Sequence, residues 1–517
     1  MHAIGMRTAL VRPMSKRGRF ELGLLSLAAV VVGASALAAC GSDSDNNHGG
    51  GGVSGKAGQG AGGAHAGDAG KPGGGSAGSD AGSAGSSEAG ASSAGDSGAA
   101  GDAAGGAAGD SAAGMGGEAG TSGPWTADER LKALSPLPAL LPDPTNSYAE
   151  NAAAATLGQS LFFDKRYSGA LTVASDLGIV GDTGKVACAT CHSGGAMSDG
   201  RAPFNVTVGT GTHTRNAPAL VNSSFYEWTN WGGRFAAQWE LPLAVAENAV
   251  TMNSTRLKLA HFIYDNYKAP YEAVFGALPA ALAASAADAA RFPATGKPGD
   301  AAWDTTTLAD DKKAVNRIVV NYGKAIEAYM RKLLSRNAPF DQYVANGGGN
   351  LSESAIRGSL LFVGKARCNA CHSGPFFSDN QFHNLGGLGA DDGRFKDAGA
   401  LKGAPINIDS EYSDKTDTGR LAGLTNPMID ATTHSAFRTA SLREVKDTAP
   451  YMHNGQLADL PAVVAFYNAG GGEPVTGSTK DPLLTPLGLS ETEQADLVEF
   501  LKTLSGEPIP AALLTAP

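Results

Sequence analysis

Cys188-Ala189-Thr190-Cys191-His192 and Cys368-Asn369-Ala370-Cys371-His372 are two copies of one pattern, 180 residues apart, and their reading decides the fold. Cys-x-x-Cys-His is the attachment motif of c-type haem. The two thiols add across the porphyrin vinyl groups, and the adjoining histidine is delivered beneath the iron as proximal ligand. The same cysteines could serve a thioredoxin-like redox pair or a zinc site. A redox pair has no need of the following histidine, and only 10 of 517 residues are histidine. Zinc would leave the rest of the N-terminal sequence unexplained. The expected cofactors are therefore two covalently bound haems. The fifth cysteine, Cys40, stands apart from both motifs.

Working toward the N-terminus, Arg7, Arg12, Lys16, Arg17 and Arg19 precede an uncharged stretch from Leu22 to Ala39 that ends in Leu37-Ala38-Ala39-Cys40. Basic then apolar is the order of an export signal, and its end resembles a bacterial lipobox, whose cysteine is acylated. The other reading is a signal anchor, since 18 residues is near the lower limit for spanning a bilayer. Gly41 and Ser42 lack the aspartate that would retain a lipoprotein at the inner membrane. The expectation is an exported, lipid-anchored protein at the outer membrane, its folded part in the periplasm or at the cell surface.

Residues 41–123 hold 30 of the chain's 71 glycines and no aromatic residue, leucine or isoleucine. Such a stretch cannot bury enough apolar surface to offset its ordering entropy. It reads as a disordered tether, spanning on the order of 50 Å as a random coil. The net charge of −10 divides into +4 for 1–40, −7 for 41–123 and −7 for the remainder. An acidic folded region argues against nucleic acid as a partner.

The folded part reads as mainly α. Val315, Ile318, Val319, Tyr322, Ile326, Tyr329, Met330 and Leu333 have amphipathic spacing over Lys312–Leu334, Leu257–Tyr267 predicts a shorter helix, and Ser490 with Glu493 has capping-box spacing before a last one. The expected architecture is two cytochrome c-like haem domains sharing an interface, an N-terminal domain over 124–335 and a C-terminal domain over 336–517, preceded by the tether.

Between and around the haem motifs lie Leu157-Gly158-Gln159-Ser160-Leu161-Phe162-Phe163-Asp164, Ser198-Asp199-Gly200-Arg201, Arg215-Asn216-Ala217-Pro218, Trp231-Gly232-Gly233-Arg234, Phe437-Arg438-Thr439-Ala440-Ser441-Leu442-Arg443 and Ala449-Pro450-Tyr451-Met452-His453-Asn454-Gly455. In this order, over about residues 150–505, the chain resembles the bacterial di-haem cytochrome c peroxidase family, which includes the enzyme that matures methylamine dehydrogenase. The resemblance implies a peroxidatic N-terminal haem on His192 and an electron-transfer haem on His372. It puts the sixth ligand of the second iron fourteen residues after His453, at Tyr467, with Met452 or Met428 as the other reading. Tyrosine there is similar to the maturation enzyme rather than to ordinary peroxidases. Trp231 takes the place of the inter-haem aromatic residue, and Asn216 with the Thr448 and Pro450 carbonyls takes that of a calcium site.

The distal pocket departs from the family pattern. Counted without gaps from Arg234, the usual glutamine falls on Leu241 and the usual acid–base glutamate on Thr251. A shifted register offers Gln238 and Glu247 instead, and these, with Trp231, are the expected catalytic residues. His213 is a candidate removable ligand of the first haem. The implied activity is hydrogen peroxide reduction with electrons from a small cytochrome c or cupredoxin. The alternatives are oxidation of an aromatic residue in a partner protein, or a non-catalytic electron-transfer lipoprotein.

Overall fold

The computed structural model describes residues 126–201, 205–306, 308–415, 418–422 and 432–517. The lipobox, the tether and Met428 lie outside them. Helices α1 (Ala127–Lys132), α2 (Ala152–Phe163), α3 (Cys188–Cys191), α4 (Leu241–Glu247), α5 (Arg256–Phe275) and α6 (Ala309–Met330) are followed by α7 (Pro339–Asn346), α8 (Glu353–Val363), α9 (Arg394–Lys402), α10 (Thr418–Ala422), α11 (Leu460–Asn468) and α12 (Glu491–Lys502). The named strands among the described residues are β1 (Phe382–His383) and β2 (Phe437–Arg438), paired antiparallel. The expected mainly α class holds.

Local chemistry sets the helix starts. Asn151, Thr255, Ser352, Asp459 and Ser490 each accept a hydrogen bond from the backbone N–H three residues on, filling one of the unpaired donors of the first turn. At Ser490 the Glu493 carboxylate returns the bond to the cap N–H at 2.8 Å, completing the box the sequence predicts. Helix α6 runs from Ala309, three residues before the predicted start. Helix α5 outruns its predicted end because Pro270 is accommodated beyond a break at Tyr267, whose φ of −131° and ψ of 18° lie outside helical geometry.

Each half is organised around one crossing of two helices. Helix α2 packs on α6, and α8 on α12. A glycine permits each crossing: a Cβ on Gly158 would lie 1.9 Å from the Ala325 carbonyl oxygen, and one on Gly358 would lie 2.0 Å from that of Asp496. Around the first crossing gather Leu157, Leu161, Phe162, Val315, Ile318 and Tyr322. Around the second gather Phe340, Phe362, Phe377, Leu497 and Phe500. The haem motifs hang from these crossings, Cys188 and Cys368 each packing at the edge of its core.

The terminal segments depart from the expected boundaries at 124–335 and 336–517. Leu131 and Leu134 belong to the core of the C-terminal half, and Ile509 to that of the N-terminal half. Gln159 fastens the second exchange, donating to the Ala512 and Thr515 carbonyls at 2.6 and 2.8 Å. Each half thus completes its apolar core with a segment from the far end of the chain.

Candidate haem sites and the wall between them

Helix α3 is a single turn that aims three side chains at one cavity. The Ser168 hydroxyl accepts from the Lys185 and Val186 N–H groups and pins the approach. His192 N–H donates to the Cys188 carbonyl at 3.0 Å. Cys188, Cys191 and His192 then line a cavity with Phe162, Ile326 and Met330. In the second half His372 N–H donates to the Cys368 carbonyl at 2.9 Å, and Cys368, Cys371 and His372 line a second cavity with Phe362, Val464 and Leu501.

The two histidines are prepared in the same way. His192 Nδ1 is 3.2 Å from the Met197 carbonyl, and His372 Nδ1 is 3.1 Å from the Phe377 carbonyl, each five residues on. A carbonyl only accepts, so Nδ1 carries the proton and Nε2 is left as the ligand nitrogen. Burial lowers both imidazole pKa values below the usual range and keeps them neutral. The four cysteines are unbridged, and burial pushes the Cys188 thiol up to about 11. Among the described residues, Cys371 also lies within 4.8 Å of ligand atoms of Asp379 and His383.

An orphaned charge strengthens the fit to haem. Arg438 is 4% exposed and lies on the wall of the second cavity, its guanidinium 3.2 Å over the Tyr226 ring. Its Nη1 is buried without a hydrogen-bond partner. A buried, unsatisfied guanidinium nitrogen is costly, and an anionic group such as a haem propionate would satisfy it.

The two cavities share a wall made of Asn216, Ala217, Pro218 and Trp231. Trp231 is held from two sides: its Nε1 donates to the Asn216 carbonyl at 2.7 Å, and its own carbonyl accepts from Arg438 N–H at 2.8 Å. Tyr467 lines the second cavity from α11, two turns beyond Leu460, and burial raises its phenol pKa. Met452 lines the same cavity. Asn216, Thr448 and Pro450 share that wall too, and Asn216 N–H donates to the His453 carbonyl at 2.7 Å. The Asn216 side-chain oxygen accepts from Ala217 N–H at 3.0 Å.

The structure places the residues of the shifted register, Glu247 and Gln238, away from the lining of the first cavity. Glu247 is off the first cavity: Arg256 grips both of its carboxylate oxygens at 2.8 Å, and the Arg256 N–H adds a third bond. Gln238 is also away from it, its amide exchanging hydrogen bonds with the Ser223 and Ser224 hydroxyls at 3.0 Å. Leu241 and Thr251, the residues of the ungapped count, line the cavity with Arg234. The Thr251 hydroxyl is committed to the Val245 carbonyl at 2.6 Å.

Two acidic residues on the first cavity, Asp391 and Asp397, come from a segment the sequence did not single out. Arg215 ties Asp391 at 2.6 Å and Asp397 at 2.7 Å. Burial alone would raise Asp391, but its bonds to Arg215 outweigh that and hold it below the usual carboxylate range. His213 is on the same wall, and burial, then the Arg215 charge, lower its pKa and keep it neutral. In the second cavity His383 sits between Asp379 at 2.9 Å and Asp481 at 2.6 Å. Burial opposes its charge, yet Asp379, then the free Cys371 thiol, then Asp481 push it up to about 11. The Asp-Asp-Gly run at 391–393 was the available signal for the first set, and nothing local joins His383 to Asp481.

Comparison with known proteins agrees with this arrangement. The sequence model of a family described as di-haem cytochrome c peroxidase matches residues 152–348. A curated protein named Cytochrome-c peroxidase IdrP1, from Denitromonas iodatirespirans, is 34% identical over 399 residues, covering 73% of this chain and 88% of its own length. Methylamine utilization protein MauG from Methylophilus methylotrophus is 27% identical, covering 74% of this chain and 91% of its own. Among solved structures, a variant of the diheme peroxidase BthA from Burkholderia thailandensis aligns with a TM-score of 0.50 at 19% identity, over 72% of this chain and 90% of that one, a likeness of fold.

Proposed function

Because the chain belongs to the di-haem cytochrome c peroxidase family, an oxidoreductase family whose members carry two c-type haems, we propose that it reduces hydrogen peroxide at the first cavity with electrons relayed from the second. The observation that carries this reading is the shared wall: Trp231 borders both cavities and is fixed by hydrogen bonds on either side. Cys188, Cys191 and His192 would hold one haem and Cys368, Cys371 and His372 the other, with Tyr467 as the further ligand of the second iron. The haems supply reversible iron redox chemistry. Trp231 bridges the gap for electrons.

Protons must also be handled, since peroxide takes up two electrons and two protons to become two waters. Thr251 is a poor acid–base group and its hydroxyl is engaged. Asp391 and Asp397 are tied to Arg215. Neutral His213 is the base we assign to this wall. The calcium site at Asn216, Thr448 and Pro450, the lipid anchor at Cys40, the outer-membrane address, and a small cytochrome c or cupredoxin as donor belong to the same proposal. A second reading, oxidation of an aromatic residue in a partner protein, is favoured by Tyr467 and by the likeness to a methylamine utilization protein.

Stopped-flow spectra of the reduced holoprotein mixed with hydrogen peroxide test the proposal. Both haems should be oxidised, and His213→Gln should slow the reaction by ~10²–10⁴-fold. Since burial lowers the His213 pKa, the neutral form persists on mild acidification, and the rate should fall only below the ordinary imidazole range. A protein inert to peroxide would instead be an electron carrier.

A further inference from the structure

Tyr167 and Tyr322 are completely buried beside the first haem motif, with their hydroxyls 2.9 Å apart. The Tyr167 hydroxyl is also 4.0 Å from the Cys188 sulfur. Phenylalanine would fill the same space without two hydroxyls to satisfy in an apolar core. From this pair an aromatic file leads outward: Tyr167 to Phe262 at 5.3 Å between ring centroids, then Phe262 to Tyr267 at 5.8 Å. Tyr267 is half-buried, at the break in α5.

We propose that Tyr267 is a surface terminus for oxidising equivalents generated at the first cavity, reached from Cys188 through Tyr167, Tyr322 and Phe262. This rests on the peroxidase reading and adds a second outlet, separate from Trp231. The polar partners decide where the oxidation comes to rest. A tyrosine that loses an electron becomes strongly acidic and must release its proton to a base. Tyr167 and Tyr322 have each other and the Leu161 carbonyl, at 3.2 Å from Tyr167, none of which is a base. Tyr267 donates to the Asp164 carboxylate at 2.8 Å; Arg166 also holds that carboxylate, but an oxidised tyrosine is a far stronger acid than any carboxylic acid and still gives it the proton. The buried pair therefore passes the equivalent on, and the outer tyrosine keeps it.

The step balances. Hydrogen peroxide takes up two protons from solvent and two electrons to become two waters; one electron comes from Tyr267, whose own proton moves to Asp164, and the other comes from the reduced second haem through Trp231. A neutral tyrosyl radical remains at Tyr267. A small one-electron reductant, such as a phenol, restores it by giving an electron and a proton.

The test treats the full holoprotein with hydrogen peroxide and a nitroso spin trap, then maps adducts by peptide mass spectrometry while the haem bands are followed optically. The expected result is an adduct on Tyr267 that falls at least about tenfold in Tyr167→Phe and in Tyr322→Phe, and also falls in Asp164→Asn, with the first haem still responding to peroxide. A haem response with no adduct on Tyr267 would overturn the relay alone. So would an adduct undiminished in both phenylalanine variants. No haem response at all would overturn the peroxidase reading and the relay with it.

Discussion

Glu247 shows how a carboxylate of the right type, near the right count, can belong to something else. Its partner, Arg256, begins the next helix, and the ion pair fastens the end of α4 to the start of α5. Glu247→Gln should leave the peroxide rate within about twofold of wild type while lowering stability by about 1–3 kcal/mol, because the buried Arg256 loses a charged partner but keeps a neutral one. Stopped-flow rates and denaturant melts on the same sample check both halves. The haem residues were legible in the sequence because two thiols and a histidine act over five consecutive positions. The distal positions were legible only in part: the ungapped count from Arg234 reaches Leu241, at the start of α4, and Thr251, just past its end, but neither carries a carboxylate, and the nearby Glu247 is held by Arg256 instead.

At the scale of elements, caps and amphipathic spacing located α6 and α12 to within a few residues, while the packing of α1 could not be read from its six residues. The link that holds it is Asp341 in α7. Asp341 accepts from the Ser135 hydroxyl just beyond α1 at 2.6 Å and pairs with Arg443 at 2.7 Å. Their side chains are 7% and 1% exposed. Burial opposes the Asp341 charge, but the hydrogen bond and charge of Arg443 outweigh it and hold the carboxyl below its usual range. A depressed carboxylate pKa adds stability that is present above the unfolded value, about 3.9, and is lost as pH falls through the folded one. Asp341→Asn leaves a buried guanidinium unpaired and should cost about 3–5 kcal/mol at neutral pH. Thermal melts between neutral and acidic pH should show that deficit shrinking as wild type loses its own carboxylate, and a constant deficit would show that the charge is not its source.

In the molecule as a whole, the two haem motifs are 180 residues apart in sequence yet their cavities meet at Trp231. The exchanged terminal segments add to each core a part from the opposite end of the chain, so the two halves are joined at their cores as well as at the tryptophan wall. Everything proposed for peroxide, for the relay to Tyr267 and for Tyr467 depends on both cavities carrying covalent haem. The intact mass of the mature protein after acid–acetone extraction tests this most directly. Two haem additions should survive extraction, falling to one in a variant with Cys368 and Cys371 both replaced by alanine. A polypeptide that loses all of its haem to the solvent would contradict the assignment of either motif.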